Sequence, residues 1–141
     1  MMAAMAPMTP SVPAHLQTFL ALDLGLKRTG VAVGNRLIRS AQPLQTIRAQ
    51  GDLRLLELAK LLKEWQPDAL VIGVPLYPDG TEHDNTWRCR RFARQMRGRF
   101  GLLVFEVDER YSTTEALTSG AADADAGAAC IILEQFLRTL E

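Results

Sequence analysis

A chain of 141 residues with 16 Lys plus Arg against 16 Asp plus Glu has no net charge, and 48% of it is apolar. That size and apolar fraction suit one globular domain with its own core. Zero net charge excludes binding to nucleic acid or membranes through a global basic field, so such binding requires a local patch. No run reaches transmembrane length. Cys89 and Cys130 lack any CxxC or Cys/His metal spacing and are expected to stay reduced, one of them in the core.

Residues 1–17 contain three prolines and no Lys or Arg, which argues against a signal peptide. They are expected to form a disordered leader, with the domain spanning 18–141. From Phe19 to Gly34 the sequence reads as an apolar strand, a short turn holding Gly25, Lys27 and Arg28, and a second apolar strand returning. Inside the first strand lies Asp23, an ionisable residue among Phe, Leu and Ala. A buried carboxylate must be paired, hydrogen-bonded or bound to a cation. Asp23 is thus either a residue capping its own turn or a metal ligand facing a cleft. Dinucleotide and P-loop folds pass from their first strand directly into a helix, and the strand at Thr29–Gly34 disfavours both.

Leu37 to Ile47 reads as a third strand, and Pro43 assigns it to an edge or a bulge. A helix opens at Gln50 or Asp52 and runs to Trp65, with Leu55, Leu58, Ala59, Leu62 and Trp65 at helical spacing and Pro67 as its stop. Ala69–Val74 is a continuous apolar strand of the kind buried on both faces. The loop 75–83 follows at the strand end that lines the ligand crevice of an α/β sheet; its His83 is either a general base or an ordinary loop residue. A second helix covers Asn85 to Arg99, with Cys89, Phe92, Ala93, Met96 and Phe100 on its apolar face. Leu102–Val107 is a further strand, ending in Asp108-Glu109-Arg110. Ser112 or Thr113 is expected to cap a short helix, with Glu115 completing a capping box, and the last helix runs from about Asp123 to Leu140. This order builds an α/β domain: a five-stranded mixed sheet flanked by helices, in the ribonuclease H-like arrangement.

Such a sheet brings four carboxylates together: Asp23, Asp108, Glu109 and Asp125. Clustered carboxylates repel, so they require cations or shared protons. Hard ions such as Mg²⁺ or Mn²⁺ prefer oxygen ligands of this kind. A pair of ions about 3.5–4 Å apart could activate water and stabilise a leaving oxygen on a phosphodiester. Consecutive strand residues face opposite ways, so only one of Asp108 and Glu109 need be a ligand. Asp108, Glu109 and Asp125 could each instead be helix-start charges. Small residues at 126–129 leave room for close approach around Asp125. Six arginines fall within residues 88–99. Arg90, Arg94 and Arg97 share one helix face, which is either a phosphate track or a solvated surface. Lys27 and Arg28, in the turn beside Asp23, are the cations nearest the presumed chemistry.

A hairpin with Asp-x-Gly at the end of its first strand resembles ribonuclease H-like nucleases and actin-like ATPases; the latter need a second domain that 141 residues do not supply. From Phe19 to Glu141 the chain resembles the YqgF family of bacterial ribonuclease H-like proteins. The matching pieces are Ala21-Leu22-Asp23-Leu24-Gly25 with Lys27, Thr29 to Val33, Ala41-Gln42-Pro43-Leu44, Glu64 to Asp68, Val71 to Leu76, Asp79 to Glu82, Val107 to Thr113, and Asp125 ahead of Ile131 to Glu134. That family is described as Holliday-junction resolvases and as pre-16S rRNA nucleases. The resemblance implies catalysis by Asp23, Asp108, Glu109 and Asp125, with metal held by Asp23, Glu109 and Asp125. It implies Mg²⁺ or Mn²⁺ as cofactor and pre-16S rRNA or branched DNA as substrate. A cytoplasmic monomer or weak homodimer, meeting ribosomal precursor particles, is the setting it suggests. Tyr111 replaces an aliphatic residue usual in relatives, and the segment from Glu115 to Asp125 is shorter and lacks their basic residues. That departure keeps a second expectation open, a non-catalytic nucleic-acid- or ribosome-binding module.

Overall fold

The computed structural model describes residues 12–109 and 124–140. Their elements are β1 (Thr18–Leu24), β2 (Thr29–Asn35), β3 (Ser40–Ile47), α1 (Gly51–Trp65), β4 (Ala69–Val74), α2 (Asp84–Phe100), β5 (Leu103–Asp108) and α3 (Ala124–Arg138). The strands form one sheet in the order β3-β2-β1-β4-β5. β2 is antiparallel to both β1 and β3, whereas β4 runs parallel to β1 and β5. The mixed sheet expected from the strand-strand-strand-helix order is therefore present. The capping helix expected after Ser112 or Thr113, Tyr111, and most of the segment between Glu115 and Asp125 lie outside the described residues.

Each face of the sheet carries its own core. Alternation along β1 sends Leu20 and Leu22 to the side of α1 and α2, where they meet Leu58, Phe92 and Met96. It sends Phe19 and Ala21 to the side of α3, where they meet Ile132, Leu133, Phe136 and Leu137. β2 divides more sharply. Val31 and Val33 face α1, while small Gly30, Ala32 and Gly34 face α3 and let it settle directly on the backbone. β4 is buried along its whole length, as its unbroken apolar run predicted.

Two boundaries differ from the sequence reading. Leu37 and Ile38 lie in the turn between β2 and β3 and are 83% and 70% exposed, so β3 begins three residues later than expected. Pro43 sits where the β2–β3 register shifts, on the edge strand; that expectation holds. The expected leader runs through residue 17, yet Leu16 is buried in the α3-side core and Val12 packs beside it. Arg36 donates to the Pro13 carbonyl, and Asp68 Oδ2 accepts from the Gln17 and Thr18 amides. The main-chain polar groups here are satisfied by the domain, so the fold begins several residues earlier. Residues 1–11 lie outside the described set.

Candidate active site

The parallel strands β1, β4 and β5 end at one edge of the sheet, and the acidic residues gather there. Asp23 is on the α3 side of β1, with glycine on both flanks. Its partner on β2 is Gly30. A Cβ at Gly30 would stand 1.8 Å from the Asp125 carbonyl oxygen, so only glycine admits the first turn of α3 at this point. On the other flank, Gly73 of β4 lies one residue past the last β1–β4 pair, Leu22–Ile72. A Cβ there would meet Glu109 Cδ at 2.7 Å. Glu109 follows β5, two strands away, and crosses the space above Gly73 to hydrogen-bond Asp23. Asp125 opens α3 from the opposite side. Asp23, Glu109 and Asp125 thus come from three distant stretches and converge on one crevice.

Burial pushes the Asp23 carboxyl up to about 6; the hydrogen bond to Glu109 opposes that rise and the charge of Asp125 adds to it. Glu109 is itself buried. Two carboxyl groups in contact in a largely enclosed crevice favour a proton between them or a cation. Asp108, by contrast, is exposed at the end of β5, as strand alternation requires when Glu109 turns inward. Of the Asp108–Glu109 pair it is Glu109 that joins Asp23.

The hairpin turn brings cations to the same crevice. The Gly25 amide donates to the Arg28 carbonyl over 2.7 Å, closing the turn. Gly25 is required there, because a Cβ would approach that oxygen to 2.6 Å. Arg28 Nε lies 3.3 Å from Asp125 Oδ2. Gly25, Leu26, Lys27, Arg28 and Asp125 line a cavity of about 410 Å³, large enough for a phosphate and its water. Among the described residues no three His, Cys, Asp or Glu side chains stand close enough together to hold an ion. Asp125 is turned onto Arg28 and Asp23 onto Glu109. The donor chemistry nevertheless suits a hard divalent cation: all three groups are carboxylates, and burial raises that of Asp23, so a cation would favour its charged form.

The arginines of α2 divide. Arg90 pairs with Glu82 and with Glu106, and its guanidinium lies over the Trp87 ring. Arg97 lies 3.6 Å from Glu106 and donates to the Val104 carbonyl. These two tie α2 to β5. Arg94 is exposed and has no partner among the described residues. His83 caps α2: its Nδ1 accepts from the Asn85 amide, its own amide donates to Thr86, and its ring packs against Tyr77 at a tilt, centroids 4.6 Å apart. A capping histidine is committed to holding the helix start. Sequence reasoning missed Arg54, which is buried in α1 and bonded to the hairpin turn. The available signal was an arginine one position before Leu55, four before Leu58, on what proves to be the core-facing stripe.

The profile of the RuvX family, described as Holliday junction resolvases, matches residues 17–139. The chain belongs to the RuvX family. It is 72% identical over 129 residues to a provisionally named pre-16S rRNA nuclease of Albidiferax ferrireducens, covering 92% of this chain and 83% of that protein. A protein of the same name from a Polaromonas species is 66% identical over 131 residues, covering 93% and 95%. Among solved structures, Thermus thermophilus RuvC in complex with a Holliday junction substrate superposes with a TM-score of 0.57 at 11% identity, over 86% of this chain and 94% of that one. At that identity the likeness concerns the fold, a ribonuclease H-like mixed sheet flanked by helices.

Proposed function

We propose that this RuvX-family chain is a metal-dependent endonuclease that hydrolyses phosphodiester bonds, acting in 5′-end processing of pre-16S rRNA. The observation that carries the reading is the meeting of Asp23, Glu109 and Asp125 between two glycines at the sheet edge, beside a turn bearing Lys27 and Arg28. The RNA assignment rests on the names of the relatives at 72% and 66% identity. The family's description favours a second substrate, branched DNA cut as in Holliday junction resolution.

Asp23, Glu109 and Asp125 would hold Mg²⁺ or Mn²⁺. Such an ion, once bound, supplies an activated water and charge neutralisation at the leaving oxygen. The protein's own contribution is positional. Partial burial of Asp23 beside Glu109 raises its carboxyl, so that a bound cation would favour the charged form. Asp108, exposed at the end of β5 and facing away from Glu109, would meet solvent and not the ion. Lys27 and Arg28 hold the phosphate at the 410 Å³ cavity, which fixes the scissile bond against the carboxylates. Arg94 extends the track to flanking phosphates; Arg90 and Arg97 contribute field while bound to Glu82 and Glu106.

The test is incubation of the full chain with labelled pre-16S rRNA, a four-way DNA junction and unstructured single strands, with Mg²⁺, Mn²⁺ or EDTA. Cleavage of the RNA that EDTA stops is the expected result. Cutting confined to the junction would transfer the activity to DNA. Tight binding without cleavage under every metal condition would leave the chain a non-catalytic module.

A further inference from the structure

Arg54 is, among the described residues, the one buried Lys or Arg, and it makes no salt bridge to a carboxylate. Its hydrogen bonds go to three main-chain carbonyls. Nε donates to Ala49 at 3.1 Å, and one terminal nitrogen donates to Gly25 at 2.9 Å and to Leu26 at 2.7 Å. The Phe92 ring of α2 lies under its guanidinium, 5.8 Å away. A charge taken out of water without an anionic partner is a heavy desolvation cost, and a leucine or methionine could fill the same stripe of α1 without it. What an apolar residue could not do is bond the turn.

Apart from the partly exposed Arg28–Asp125 pair, that turn has little else to hold it. Leu26, its apolar residue, is 64% exposed and anchors nothing. Lys27 and Arg28 are exposed too. The turn is closed on itself by the Gly25–Arg28 bond and then fastened to the domain by Arg54 through two successive carbonyls. A planar guanidinium with fixed donor directions reaches Ala49 through Nε while one terminal nitrogen meets both turn carbonyls, whereas a lysine would bring one rotating nitrogen to all three. Fixing Gly25 and Leu26 fixes the direction in which Lys27 and Arg28 leave the backbone.

We infer that Arg54 is a positioning residue: from beneath the hairpin turn it sets Lys27 and Arg28 for the phosphate, without touching the substrate itself. The inference rests on the proposed role of that turn in binding nucleic acid. It extends that role to a residue of α1 and says that the grip on substrate depends on one buried guanidinium.

The test uses the full chain with Arg54→Lys, Arg54→Met, Arg28→Gln and the Arg54→Lys/Arg28→Gln pair. The first measurement is amide hydrogen exchange. Residues 26–29 should exchange at least about tenfold faster in both Arg54 variants while β4 amides keep their protection. Unchanged exchange in the turn overturns the inference. The second measurement is binding of a labelled single-stranded oligoribonucleotide and of a four-way junction. Arg54→Lys should weaken binding roughly tenfold, and it should add less than its full effect to Arg28→Gln, because part of what it removes is the Arg28 contact. Strict additivity, or a lowered Tm with unchanged affinity per folded molecule, would reduce Arg54 to a structural brace, as would failure of both variants to fold. If Arg28→Gln alone leaves binding untouched, the phosphate role of the turn fails, and with it the proposed site; the exchange measurement still decides whether Arg54 holds the turn.

Discussion

Arg28 Nε stands 3.3 Å from Asp125 Oδ2, so a cation of the hairpin turn is held by one of the three carboxylates that would bind metal. The pair is partly exposed, with side chains 56% and 31% accessible, and such pairs contribute about 0.2–1 kcal/mol. Arg28→Gln should therefore tighten Mn²⁺ binding by only about twofold to fivefold. The same substitution should weaken RNA binding, since it deletes a phosphate contact. Opposite signs in metal titration and RNA titration are the expected outcome; loss of both affinities would mean that Arg28 supports Asp125 instead of competing for it.

Asp23→Asn should abolish cleavage and leave the fold intact. The amide keeps the size of the carboxylate and loses the charge that binds the ion. Retained turnover, measured per folded molecule, would remove Asp23 from the site.

The pH dependence follows from burial. Asp23 is raised from 3.8 to about 6. Between those values the unfolded chain has released the proton that the native protein still holds, so stability falls as pH rises through this window. At roughly 1.4 kcal/mol per pH unit, the loss without metal is about 3 kcal/mol, and it belongs to the Asp23–Glu109 pair as a whole. Asp23→Asn should flatten this fall in chemical denaturation run from pH 4 to 7 in EDTA. Divalent-ion affinity should rise with pH through about 6, because the ion displaces that proton.

The glycines flanking Asp23 are expected to differ in effect. Gly30→Ala would drive a methyl to 1.8 Å from the Asp125 carbonyl, a backbone atom that cannot move without α3. It should cost at least about 3 kcal/mol in urea unfolding. Gly73→Ala meets the Ile132 methyl at 2.5 Å and the Glu109 carboxyl at 2.7 Å, both ends of side chains. Its cost in stability should be smaller. Its main effect should be to displace Glu109 from Asp23, seen as an altered Asp23 titration by NMR.

On α2, Arg94→Gln should lower the slope of log affinity against log salt by about 0.7–0.9 with Tm unchanged. Arg90→Gln and Arg97→Gln should instead lower Tm, since each leaves Glu106 with one cation fewer. A large salt-slope change from Arg90→Gln or Arg97→Gln would show that nucleic acid takes them from Glu82 and Glu106.

Hydrophobic period and turn residues were enough to read the strands, α1, α2 and the mixed sheet. Each depends on local patterning: the all-apolar Ala69–Val74, the alternating faces of β2, the Pro67 stop. Asp23 was conspicuous for the same reason, a charge inside an apolar run. Tertiary structure alone decided what Asp23 meets. That Glu109 and not Asp108 reaches it depends on the exit of β5 and on an empty side-chain position at Gly73, two facts that belong to different strands. That Asp125 approaches from the far flank depends on Gly30 accepting the α3 backbone. Arg90, Arg94 and Arg97 looked equivalent on a helical wheel, and only the placement of Glu82 and Glu106 separated them. Arg54 is buried only through the docking of α1 on the sheet. Its partners are carbonyls, which every residue carries, so side-chain identity held no sign of them.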